Sequence, residues 1–254
     1  MIRAIPFFAR RPLRGPRNGA APADFGELIT GWHPEDAVLS GASVTSWPSR
    51  WGGSYTLSVA DAPQYSATGW NAAAPAILFD GSNDAAYHDA LAVGAGDDQP
   101  WYAVLACEWV ARTVNATVMS SGSTAGDNPR HRLMISVADA TRLRANRTSD
   151  SGTMSSVDGA AGTATNGRRI YSWEYTGTAI TVREDGVALS GMSSASQDVP
   201  TATLLDRFSL GCRRYGAGSN ATFANIRLGP VLLYSALTDE AGARAYLLSL
   251  GYSP

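Results

Sequence analysis

The chain has 254 residues, 44% of them hydrophobic, with 26 Gly and with 22 acidic residues against 20 basic ones, every one of them Arg. That length and apolar content suit a single all-β domain with a sizeable core, and no apolar run approaches the roughly 20 residues of a membrane span. The net charge of −2 hides an asymmetry: residues 1–23 carry five Arg and no acid, while the remainder carries 15 Arg against 22 acids, a body that repels phosphate and so excludes nucleic acid as a partner.

Residues 1–23, MIRAIPFFARRPLRGPRNGAAPA, hold too little apolar surface to pack alone and lack the apolar core of a secretory signal. They read as an extended Arg/Pro-rich anchoring arm over 1–24, ahead of one domain over 25–254. Phe7 and Phe8 are its expected anchors in a partner, with Arg10, Arg11 and Arg14 as polar pins.

The body then alternates strand-like runs with turn residues. Strands are expected at 27–33, 43–47, 54–59 and 100–112, the last too long and too apolar for a sheet edge. Between them lies AILFDGSNDAAYH, residues 76–88, where Asp80-Gly81 predicts a type I′ hairpin turn with positive φ at both central residues. Asp80, Asn83 and Asp84 there could lend oxygens to calcium, but calcium wants six to eight, and the turn offers too few. No cofactor is expected. Further runs follow at 116–122, 131–139 and 141–147, then a pair of hairpins over 168–189 turning at Thr-Gly and Glu-Asp-Gly, then 207–214 and 221–237. Only 238–250 has helical spacing, with Thr238 as the expected cap and Gly251 beyond its end. Cys107 and Cys212 sit in apolar runs and read as two buried thiols. Phe79, Val104, Leu105, Ile135, Ile170, Trp173, Ile180, Phe208, Ile226 and Val231 are the expected core.

Three blocks in this order, GWHPEDAVLSGASVTSWPSRWGG (31–53), AILFDGSNDAAYH (76–88) and the stretch from Phe208 to Tyr252, resemble the concanavalin A-like lectin/glucanase superfamily in its laminin-G-like form. The resemblance implies a two-sheet antiparallel jelly-roll sandwich closed by a short C-terminal helix. It also implies that the Phe-Asp-Gly turn is structural, with Phe79 in the core.

Glucanases of that superfamily carry Glu-x-Asp-x-x-Glu on one strand, which sets paired carboxylates on the same face. This string is missing, and Glu174, Glu184 and Asp185 do not reproduce it, so no enzymatic activity is expected. A lectin role would rest on aromatic and amide side chains in loops. Trp51 and Trp70 are the aromatic candidates. Two loops add polar ones: 126–132 with Arg130 and His131, and 213–221 with Arg214, Tyr215 and Asn220. Arginine forks onto carboxylates, so an acidic host-surface polysaccharide enters as a candidate ligand.

A lectin-like jelly roll behind a short Arg-Pro-Phe arm also resembles tailed-phage structural proteins. That resemblance implies a multicopy or homo-oligomeric decoration, spike or fibre component of a virion, assembled in the host cytoplasm, with other virion subunits as partners of the arm. The competing class is a free-standing or secreted bacterial carbohydrate-binding lectin or adhesin module.

Overall fold

The computed structural model describes residues 20–93, 99–194, 205–216 and 218–254. The nominated anchors Phe7, Phe8, Arg10, Arg11 and Arg14 lie outside the described residues. The last residues assigned to the arm are part of the body: Pro22–Phe25 forms a 3-10 turn with Pro22 and Phe25 buried, and Tyr234 Oη donates to the Pro22 carbonyl at 3.1 Å.

The first strands are β1 (Gly26–Trp32), β2 (Val38–Ser40), β3 (Ser43–Gly52), β4 (Thr56–Ala60), β5 (Gln64–Trp70), β6 (Ala74–Asp80) and β7 (Ala85–His88). The central ones are β8 (Trp101–Ala111), β9 (Thr117–Gly122), β10 (Arg130–Ile135), β11 (Leu143–Thr148), β12 (Met154–Asp158), β13 (Gly167–Tyr175), β14 (Ile180–Glu184) and β15 (Val187–Ser194). Then come β16 (Arg207–Leu210), β17 (Arg213–Arg214), β18 (Asn220–Ala221), β19 (Asn225–Leu237) and the helix α1 (Glu240–Ser249). The chain is all-β and its strand pairs are antiparallel among the described residues, with one short helix at the C-terminal end.

The pairings trace two runs. The first is β15–β14–β13–β8–β19, with β6 and β1 sharing the far side of β19 and β5 beyond β6. The second is β2–β3–β4–β7–β16–β9–β10–β11–β12. These runs are not separate. The end of β3 leaves the second run to pair with β1, and its first residue, Ser43, pairs with Gln64 of β5. Strands β1, β3, β5, β6 and β19 therefore close a ring, a feature the expected pair of independent sheets does not contain.

Period-2 alternation sends one face of each run into a shared core. Trp32 of β1 stacks on Phe208 of β16 across it, centroids 5.8 Å apart and planes 3° from parallel. All ten nominated core residues are fully buried. Strand β8 pairs on both sides, with β13 and β19, as its length and predominantly apolar pattern predict. Pro230 sits inside the 13-residue β19 because the register shifts between Leu228 and Val231, so its missing N–H breaks no ladder. Beside it Gly229 lets the Tyr252 ring close in, since a Cβ there would lie 2.5 Å from that ring.

The outward face of the first run is covered by α1, whose Ala243, Tyr246 and Leu247 recur at the spacing of one helical face and pack with Phe25, Trp70, Val104, Ile170 and Leu232. The helix is capped by Asp239, whose side chain accepts from Gly242 N at 2.8 Å. Thr238, the expected cap, instead donates to the Phe25 carbonyl.

The Asp80-Gly81 turn departs from expectation. Only Gly81 has positive φ, at 80°, and β6 and β7 do not pair with each other. Phe79 is in the core as expected, but the turn carries the chain from one run to the other.

Candidate functional site

The outward face of the second run is where polar chemistry gathers. Register places Ser156, Asn146, Arg132, Ser120, Ser209, Tyr87, Ser58 and Ser46 in one row across β12, β11, β10, β9, β16, β7, β4 and β3. Opposed residues in adjacent strands share a face, so the row is a direct consequence of the alternation that puts Leu133, Ile135, Phe208 and Leu210 in the core. Asn146, Arg132, Ser120 and Ser209 are nevertheless buried. Ser120 Oγ and Ser209 Oγ are 2.8 Å apart, and Ser209 also donates to the Cys212 carbonyl at 3.0 Å.

The two polar loops meet beside this row. Arg213 Nη2 donates to the Asp127 carbonyl at 3.2 Å, and a Cβ on Gly216 would lie 2.3 Å from the Gly126 nitrogen, so the backbones touch where both residues are glycine. Arg213 lies over the Tyr215 ring, its Cζ 3.8 Å from the centroid, and donates to the phenol oxygen at 3.1 Å. Arg214 lies over Tyr87 at 3.5 Å, forks onto Asp89 with two 2.8 Å bonds, and reaches Asn220 Oδ1 at 3.1 Å. Arg207 Nε donates to the same Asp89 Oδ1 at 2.8 Å, and its Nη1 donates to the Tyr215 carbonyl. Arg130 bonds the Asp127 carbonyl and Asn128 Oδ1.

Charge is unbalanced here. Among the described residues, Arg130, Arg132, Arg207, Arg213 and Arg214 have two carboxylates within ion-pair distance: Asp89, shared by Arg207 and Arg214, and Asp127, which is exposed and 3.8 Å from Arg213. The Asp89 carboxyl is held below its ordinary range by its two guanidinium partners, against the opposing effect of burial. Burial, then the neighbouring Arg213 charge, lowers Arg130; burial lowers Arg213 as well.

Four of the seven nominated carbohydrate contacts, Arg130, Arg214, Tyr215 and Asn220, thus come together. The other three do not join them. His131 points inward and is fully buried: it stacks on Trp101, accepts from Trp101 Nε1 at 2.5 Å, and burial holds its pKa well below the ordinary value. It shares a loop in sequence with Arg130, but the loop becomes β10 and alternation turns the two to opposite faces. Trp70 is fully buried under the C-terminal residues, with Nε1 donating to the Ser253 carbonyl at 2.9 Å. Trp51 is half-buried and packs edge-on to His33 and Tyr246 on the helix side. A tryptophan in a loop-like stretch carries no sign of the helix that will cover it.

Arg213, which opens the 213–221 loop, joins the four that come together, whereas Arg132 and Arg207 are not among the expected ligand contacts. For Arg132 a signal was there: in RHRLMI it alternates with His131 and Leu133, so a core strand had to project it outward. The calcium candidates are occupied by backbone. Asp80 Oδ1 accepts from Ser82 N and Asn83 N, and the buried Asp84 accepts from Asp80 N at 2.9 Å. Cys107 and Cys212 are buried free thiols as expected, and burial pushes Cys212 up to about 12. Among the described residues no helix is long and apolar enough to cross a membrane.

By sequence, neither a family model nor a curated protein matches the chain. By structure it is similar to the binding domain of botulinum neurotoxin serotype G, with a TM-score of 0.59 at 8% identity over 87% of this chain and 51% of that one. It is similar to the serotype D binding domain, with a TM-score of 0.58 at 11% identity over 91% and 53%. Trypanosoma rangeli sialidase in complex with 2,3-difluorosialic acid gives 0.57 at 14% identity over 88% and 33%. The chain therefore spans about half the length of the toxin domains and a third of the sialidase, and the likeness is one of fold.

Proposed function

We propose that the chain is a non-enzymatic, concanavalin A-like jelly-roll module that binds a glycan on the outward face of its second run. One observation carries the reading: two loops far apart in sequence meet over a buried row of hydroxyl, amide and guanidinium groups, with Tyr215 beside them. Sugars need hydrogen-bonding groups fixed in place and a flat apolar surface for the ring, and this face supplies both. The likeness in fold to domains described as binding domains supports it.

The setting we propose is a tailed-phage particle, with the domain displayed and residues 1–19 docked on a neighbouring subunit. The resemblance of the arm and of the lectin-like body to phage structural proteins supports that setting.

A glycan array probed with the full chain tests the binding role. Signal that falls with Tyr215→Ala, at unchanged melting temperature, is expected; an array blank for every glycan class overturns it in favour of a purely architectural part. The absence of catalysis is checked by reducing-end release from β-glucans. Release abolished by Glu174→Gln or Glu184→Gln would make it a hydrolase. Deleting residues 2–19 tests the setting: melting should not change and incorporation into particles should be lost.

A further inference from the structure

We infer that the ligand of this face is an acidic saccharide whose carboxylate docks on the two Nη nitrogens of Arg132. The inference rests on the glycan-binding reading and adds the chemical class and the residue that reads it.

Arg132 differs from every other arginine in the cluster. Arg207 and Arg214 share Asp89, Arg213 has Asp127, and Arg144 on the neighbouring strand is forked onto Asp158 at 2.6 and 2.5 Å. Arg130 has the Asp127 carbonyl and Asn128 Oδ1. Arg132 is 6% exposed, and its single hydrogen bond is a long one, 3.5 Å from Nε to Asn146 Oδ1. Neither Nη nitrogen bonds a described residue. Neither is sealed from solvent, in contrast to the Arg130 Nε. The free edge of the guanidinium therefore remains open to a ligand.

Its surroundings make the position costly. Burial, and then the charges of Arg130 and Arg213, bring its pKa down to about 9, with the Tyr215 phenol opposing and Arg144 adding to the effect. A buried cation that lacks an anion is destabilising, and an uncharged side chain of similar size would normally serve the fold better. A carboxylate arriving from outside removes that cost at the moment of binding, when it also gains two parallel charge-assisted hydrogen bonds from a planar fork. Ser120 and Asn146 on either side in the row are buried and bonded within the protein, so the ring attached to that carboxylate would meet the partly exposed Tyr215, whose phenol lies near enough to act on the Arg132 charge. Sulfate or phosphate carries the same charge with tetrahedral geometry, and these sources are separated experimentally.

The test is calorimetry on the full chain with a panel of uronic-acid and nonulosonic-acid oligosaccharides, each against its carboxyl-reduced counterpart, with inorganic sulfate and a sulfated neutral oligosaccharide alongside. At least one acidic member is expected to bind, and carboxyl reduction is expected to weaken it roughly 10- to 100-fold, the range for losing hydrogen bonds to a charged group. Arg132→Met should lose binding by the same factor while melting at or above the parent temperature, and Arg132→Lys should fall between. Binding that survives carboxyl reduction, or survives Arg132→Met, overturns the inference and leaves the glycan reading standing. Preference for the sulfated sugar, or sulfate alone binding as tightly as the saccharide, overturns it as well. A steep fall in melting temperature on Arg132→Met shows that the guanidinium is structural and likewise overturns it. If no acidic member binds the inference fails, and the neutral members then decide whether the glycan reading fails with it.

Discussion

Of the three Asp-Gly dipeptides, at 80–81, 158–159 and 185–186, the first and the last do different things. At 185–186 both residues have positive φ, 52° and 86°, and Glu184 pairs with Val187 across a two-residue loop. That is the hairpin geometry the dipeptide favours. At 80–81 only the glycine has positive φ, and the strands on either side belong to different runs. The edges of β6 are already filled by β5 and β19, so β7 finds no free edge there and crosses to β4 and β16. Three further residues bridge the gap, organised by the Asp80 and Asp84 carboxylates bonding to backbone amides. A turn dipeptide permits a chain reversal; whether the flanking strands pair depends on who else claims their edges.

The contrast predicts a graded series. Gly81→Ala should be the most damaging, by about 2–3 kcal/mol, because the positive φ disfavours a side chain and a Cβ would lie 2.9–3.0 Å from Asn225 Cβ and N. Gly186→Ala shares the φ penalty, but its Cβ would meet the tip of the Arg244 side chain, which can move, so the loss should be nearer 1 kcal/mol. Equal shifts in urea midpoint for the two variants would break the comparison.

Asp84 gives the next effect, and it has a pH signature. Burial is the main cause that lifts its carboxyl to about 6, opposed by the bond from Asp80 N and helped by the charges of Asp80 and Asp61. Below about pH 4 both folded and unfolded chains hold the proton and there is no cost. As pH rises from 4 to 6 the unfolded chain releases it first, so this group lowers stability over that window, and above it the cost is constant. Asp84→Asn keeps an acceptor for Asp80 N and does not titrate. It should match the parent near pH 4 and exceed it at pH 7 by on the order of 2 kcal/mol; a difference independent of pH would show that Asp84 ionises freely in the folded chain. Smallest is Asp185, whose Oδ1 accepts from Ile170 N at 2.8 Å. Asp185→Ala should lose about 1 kcal/mol and Asp185→Asn should stay close to the parent in denaturant titration, since Asn tolerates the same φ.

Strand existence was readable wherever alternation was strong. The runs around Trp101–Ala111, Gly167–Tyr175 and Asn225–Leu237 appear as expected, because a core strand leaves its period in the residues it buries. Short or mixed strands such as Val38–Ser40, Gln64–Trp70 and Met154–Asp158 were not readable, since their burial patterns have almost no apolar period. At the site, residue type was informative and direction was not. Arg130, Arg214, Tyr215 and Asn220 were identifiable as polar loop groups, whereas His131 and Trp70 were drawn into the interior by neighbours distant in sequence.

From residues alone follow the all-β class, the ten core positions and the C-terminal helix, because each rests on local periodicity and turn chemistry. Tertiary structure decided three other things. It joined the two runs through β3, it made the Asp-Gly at 185–186 a hairpin and that at 80–81 a crossing, and among the described residues it left Arg132 without a carboxylate while Arg144, Arg207, Arg213 and Arg214 found one. Those outcomes depend on edge occupancy and on charges brought together across strands, and no window of sequence contains both members of such a pair.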